Sequence, residues 1–144
     1  MSIRDLHHAF GDLQVLHGLG LEVAGGETVA LVGQSGCGKS TLLELIAGLA
    51  EPSGGTISVG GSEGAGERLG SCAWMPQRDG LLPWRTALDN AALGLRLGGC
   101  SRREARTIAG RMLERLGLAS FAGSHPGALS GGMRQRVAFA RTLL

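Results

Sequence analysis

Eight residues from Gly33 to Ser40 read GQSGCGKS: a glycine, four residues, a second glycine, a lysine and a hydroxyl side chain. That spacing fits a loop that cradles phosphate, because converging backbone N–H groups and the positive end of a following helix favour an anion. Gly36 and Gly38 allow backbone conformations that a side chain would block. Lys39 is the only lysine among 14 basic residues. Its compact ammonium on a thin stem suits a narrow cradle better than a wide guanidinium fork. Lys39 is expected to reach the terminal phosphates, and the Ser40 hydroxyl, with Thr41 beside it, to hold magnesium. Gln34, Ser35 and Cys37 complete the expected nucleotide-binding loop. The bland alternative is a Gly-rich turn with a chance lysine, a coincidence on the order of a few in a thousand in a chain with one lysine.

A second motif reads Leu129, Ser130, Gly131, Gly132, followed by Met133, Arg134, Gln135 and Arg136. Ser130 can cap the helix that follows, while Gly131 and Gly132 leave N–H groups open to a phosphate. An ordinary helix cap is the competing reading. The two motifs lie roughly 90 residues apart, and in that order they resemble the phosphate loop and the LSGGQ signature of ABC ATPases. The resemblance implies an ATP site shared between two subunits, with the signature of one facing the phosphate loop of the other. Met133 stands where the family most often has Gln and offers no amide for a polar contact there.

Further positions follow from the same resemblance. Gln77, after Met75 and Pro76, matches the Q-loop glutamine that contacts magnesium or the attacking water and senses the membrane subunit. Phe10, before Gly11, matches the aromatic that stacks on adenine; core packing is its competing reading. Asp79 to Trp84, with Arg85 and Asp89-Asn90 behind, is similar to the nitrate, sulfonate, taurine and bicarbonate importer group. An exposed Leu81, Leu82, Trp84 set would suit docking of a membrane-subunit helix, whereas the bland reading packs it on its own helices.

The elements that must position these residues can be read from spacing. Ile3 to Phe10, Gln14 to Leu16 and Leu19 to Val23 predict short antiparallel strands. Thr28 to Val32 is apolar enough for a strand buried on both faces, leading into the phosphate loop and then a helix that stops near Gly48. Thr56 to Val59 and Ser71 to Met75 read as strands, and Gly60 to Gly70 as a Gly-rich connector. Helices are expected from Pro83 onward, the clearest capped by Ser101 with Glu104 and closed by Gly117, its arginines forming a solvated face. A last helix follows Gly132. The expected architecture is an α/β P-loop NTPase (RecA-like) ABC ATPase fold, incomplete at its C-terminus. Its parts are a β subdomain and P-loop core over 1–76, a helical subdomain over 77–130, and the start of the signature helix over 131–144.

Composition adds exclusions. A 144-residue chain with 43% hydrophobic and 18% charged residues and a net charge of +2 is globular and too weakly basic to argue for nucleic acid. It has no leader-like start and no run that spans a bilayer. Cys37, Cys72 and Cys100 read as reduced thiols, and His7, His8, His17 and His125 as surface or loop residues. The family's Asp-Glu pair and switch His are absent, and Glu44, Glu51, Asp79 and Asp89 are not placed to substitute. The expectation is therefore a fragment of an importer ATPase subunit that uses ATP and Mg2+ when complete but does not hydrolyse ATP alone. The implied partners are a second ATP-binding subunit as a homodimer, membrane permease subunits and a periplasmic or lipoprotein solute-binding protein. The implied place is the cytoplasmic face of the membrane. A non-transport ABC ATPase and a non-catalytic nucleotide-binding remnant are the alternatives.

Overall fold

The computed structural model describes all 144 residues, which divide into two compact units, Met1–Trp74 and Met75–Leu144.

In the first unit, alternating apolar residues build strands β1 (Ser2–Phe10) and β2 (Leu13–Glu22), and β3 (Gly54–Ser58) pairs on the other side of β1. All pairings are antiparallel and the order is β2-β1-β3, with Ser2 opposite both Glu22 and Ser58. The two segments expected separately at Gln14 to Leu16 and Leu19 to Val23 form one strand, because Gly18 passes between them at φ +68° without ending the ladder. At Asp5, φ is +47°, and a Cβ on the facing Gly55 would lie 2.1 Å from the Asp5 carbonyl oxygen, so that position has room only for glycine. Ile3, Leu6, Leu16 and Ile57 from the sheet enclose Leu42 and Leu45 of helix α1 (Lys39–Ile46). Gly48, at φ +78°, ends that helix, with Leu49 N–H donating to the Glu44 carbonyl.

Two of the expected strands are missing from this unit. Thr28 to Val32 and Ser71 to Trp74 are not strands, and Val32 is 95% exposed. A strand buried on both faces needs a partner along each edge, and no strand of the chain pairs with either segment. The Gly60 to Gly70 connector instead contains a short helix, α2 (Ala65–Leu69). The Glu51 carboxylate, expected to be merely solvated, accepts the Ala65 N–H at 3.1 Å. Arg68, only 1% exposed, donates to the carbonyls of Glu63 and Leu45. Of these partners, Glu51 and Leu45 lie too far along the chain for local patterning to reveal.

The second unit is helical: α3 (Ala87–Ala91), α4 (Leu93–Leu97), α5 (Arg102–Arg115) and α6 (Gly131–Leu143). Its core is built largely from alanine, at positions 87, 91, 92, 105, 109, 138 and 140, with Leu113, Leu118 and Val137. Small side chains let helices approach closely, and helix spacing follows the side chains at the contact. Ser101 accepts the Glu104 N–H at 3.2 Å, as the spacing predicts, and Thr86 caps α3 in the same way through Asp89. The Met75 end of the predicted strand packs against this core without forming a ladder.

The fully buried Asn90 ties the segment before α3 together. Its oxygen accepts the Leu82 N–H at 2.8 Å, and its amide donates to the carbonyls of Leu82, Arg85 and Thr86 at 3.0–3.1 Å. Asn90→Ala would leave those groups without their partner, and urea denaturation should show about 2–3 kcal/mol of lost stability.

Candidate nucleotide site

Gly33 to Gly38 forms an exposed loop that delivers the chain into α1 with Gly38 as its N-cap. Gly36 and Gly38 have φ of +83° and +92°, and a Cβ on Gly38 would approach Val15 Cγ1 to 2.9 Å, so both conformation and space call for glycine. No side chain caps α1, which leaves the N–H groups of its first turn facing outward beside the exposed Ser40. Lys39 folds back across the loop, Nζ donating to the Gly33 carbonyl at 2.8 Å and to the Gln34 carbonyl at 2.6 Å, with Cys37 Sγ at 3.5 Å. Gln34, Ser35, Gly36 and Cys37 are exposed around it and Thr41 is half-buried. The arrangement concentrates N–H donors and one ammonium at a helix N-terminus, which is chemistry for a polyphosphate.

That donor set fits a magnesium nucleotide only partly. The Ser40 hydroxyl suits an ion that keeps most of its waters and takes few protein ligands. No group of three His, Cys, Asp or Glu side chains converges anywhere in the chain.

Phe10 is 57% exposed at the end of β1, so it is not a core residue. Its ring meets the His8 ring edge to face, with centroids 4.8 Å apart and planes at 85°. His8 itself is buried at 8% exposure, contrary to the surface placement expected for all four histidines. Alternation along β1 turns His8 inward while His7 stays near Asp5, 3.1 Å away.

In the second unit the signature residues open α6. Ser130 Oγ accepts the Met133 N–H at 3.3 Å, Gly131 and Gly132 are exposed, and Met133 packs against the alanine-rich core. Three side chains of the same helix reach the segment around Gln77. Gln135 donates to the Gln77 carbonyl at 3.1 Å, Arg134 Nε to the Asp79 carboxylate at 2.9 Å, and Arg141 to the carbonyls of Asp79 and Gly80 at 2.7 and 2.8 Å. Gln77 keeps its own side chain exposed while its backbone is fixed to the signature helix. Sequence reasoning named Gln77 and the signature but missed these three donors, whose only signal was their place on α6.

The Leu, Leu, Trp set is not exposed as a whole. Leu81 lies in the core, Leu82 is held by Asn90, and only Trp84 stands out at 70% exposure. Trp84 lines a cleft of about 740 Å³ with Arg85, Asp89, Arg96, Arg102 and Arg106. Asp89 is the one carboxylate of the lining and pairs with Arg106. Burial raises the Asp89 carboxyl, but hydrogen bonds from Arg106 and Thr86 and the charges of Arg106 and Arg102 outweigh it and hold the pKa below the ordinary 3.8. Part of the α5 arginine face is thus engaged rather than simply solvated.

With this geometry in place, a family model described as ABC transporter matches residues 16–144. The chain belongs to the ABC transporter family. Among its relatives are an aliphatic sulfonates import ATP-binding protein SsuB of Ralstonia nicotianae and a taurine import ATP-binding protein TauB of Chromobacterium violaceum. The first is 50% identical over 135 residues, covering 94% of this chain and 45% of the relative. The second is 47% identical over 128 residues, covering 89% and 49%. The chain spans about half the length of the curated relatives it matches. A dimeric structure of the ATP-binding cassette MJ0796 with ADP and Pi superposes with a TM-score of 0.88 at 31% identity, covering 99% of this chain and 68% of that one. ABC ATPase cassettes therefore share the fold of this chain.

Two measurements test the site's chemistry. Lys39→Ala should weaken ATP binding by about ten- to a hundredfold in calorimetric titration, the worth of a charge-assisted phosphate contact. Arg106→Met should destabilise the chain near neutral pH. Because a lowered carboxyl pKa contributes stability above its unfolded value, the deficit against wild type should shrink as pH falls below about 4, read by urea denaturation across pH.

Proposed function

We propose that this chain is the nucleotide-binding portion of the ATPase subunit of an importer for a small organic anion such as a sulfonate or taurine. The observation that carries the reading is the uncapped N-terminus of α1 behind a glycine loop closed by the chain's single lysine. In this reading ATP lies with its phosphates on Gly33 to Thr41, its base on Phe10, and magnesium on Ser40. Ser130, Gly131 and Gly132 serve the nucleotide of a second copy, and the dimeric relative with ADP and Pi supports that pairing. The names of the sulfonate and taurine relatives support the class of solute.

The complete protein would hydrolyse ATP, while this chain alone would bind without turnover. No carboxylate lies within the phosphate loop, and Glu51, the first acid after α1, is engaged with Ala65 and Arg68. The chain would sit at the cytoplasmic face of the membrane through permease subunits fed by a solute-binding protein. No helix is long and apolar enough to cross a membrane. Trp84 and the arginine-lined cleft beside it fit a permease segment that carries acidic residues, since complementary charge favours encounter and register.

The decisive experiment mixes the chain with vesicles carrying the permease. Arg85→Glu with Arg102→Glu should weaken sedimentation with those vesicles by about tenfold and leave ATP affinity unchanged. Equal binding by the reversed variant would remove the docking surface, and steady ATP turnover by the isolated chain would remove the binding-only assignment.

A further inference from the structure

His8 is buried, and neither of its ring nitrogens has a hydrogen-bond partner. A buried polar group without a partner lowers stability, and an apolar residue of similar size at the same place would avoid that loss. The strand offers such replacements freely, since Ile3 and Leu6 fill the neighbouring core positions of β1. The one specific contact the His8 ring makes is with Phe10, edge to face at 4.8 Å. Aromatic rings hold this perpendicular arrangement because the positive rim of one meets the negative face of the other, a preference that an aliphatic side chain cannot reproduce.

We infer that His8 is a positioning residue that holds the Phe10 ring edge to face and so orients its exposed surface for a nucleotide base. The inference rests on the proposed stacking of adenine on Phe10. Phe10 sits next to the turn at Gly11 and Asp12 and is more than half exposed, so without a lateral contact its ring would be free to change rotamer. His8 removes that freedom before the base arrives, which lowers the ordering cost of binding.

The test is calorimetric titration of ATP and of inorganic tripolyphosphate, which has no base, into the full chain and its variants, with thermal unfolding of each. His8→Leu should keep or raise the Tm, because it removes two unpartnered nitrogens. It should weaken ATP binding about three- to tenfold, the usual worth of an aromatic pair, and leave tripolyphosphate binding unchanged. His8→Phe, which restores a ring, should bring ATP affinity back to within about twofold of wild type. Unchanged ATP affinity in His8→Leu while Phe10→Ala weakens ATP would overturn the positioning role and leave base stacking intact. A loss shared equally by ATP and tripolyphosphate would overturn it as general damage to the loop. Unchanged ATP affinity in Phe10→Ala would remove the stacking on which the inference stands.

Discussion

Irregular backbone must find hydrogen-bond donors for its carbonyl groups, and in this chain long cationic side chains supply many of them. Arg68 serves Glu63 and Leu45, Arg96 serves Cys100, Arg134 serves Leu129, Arg136 serves Leu116, Arg141 serves Asp79 and Gly80, and Lys39 serves Gly33 and Gln34. The sheet satisfies three strands and the helices satisfy their interiors, but loops dominate the regions where chemistry is placed. A guanidinium with five donors in a rigid fork suits that task, because one side chain can hold two carbonyls of a turn at once. The abundance of arginine is therefore a structural fact before it is an electrostatic one.

This bracing makes α6 the organiser of the second unit. Its inner face, Val137, Ala138 and Ala140, is sealed into the core, while Arg134, Gln135 and Arg141 hold the chain from Gln77 to Gly80. Ser130, Gly131 and Gly132 at the start of that helix and the segment around Gln77 are thus parts of one mechanical piece. Asn90 holds the next stretch, so the path from Gln77 to Thr86 is pinned from two sides although it contains no regular structure.

What could be read from the residues alone followed from local rules. The phosphate loop, the Ser101 and Ser130 caps, the stop of α1 at Gly48 and the amphipathic α5 depend on spacings of a few residues, and all take the expected form. Thr28 to Val32 carries the composition of a strand, yet strand formation is decided by a partner rather than by composition, and none is present to pair with it. The helix at Ala65 depends on Glu51, and the burial of Leu81 depends on packing against distant helices, so neither had a local signature. His8 was misplaced because a polar residue was assigned outward by type, and because the irregularity at Asp5 shifts the alternation between Ile3 and Leu6, so that His8 follows Leu6 on the buried face. At the candidate site, the glycines, the lysine and the serines stand out by type and spacing, whereas the supporting donors on α6 do not.

The fold-back of Lys39 changes what it means for the loop to take up an anion. Its ammonium is already solvated by two main-chain oxygens, so an arriving phosphate must exchange with them rather than meet a bare charge. The free energy of that exchange is a difference between two sets of good hydrogen bonds, and a weakly basic anion with a single point of attachment has little with which to win it. A polyphosphate that also engages the α1 N–H groups brings the extra contacts that tip the balance. If the loop takes a nucleotide as proposed, its own carbonyls would compete for Lys39 and favour a multidentate ligand over an anion with one point of attachment.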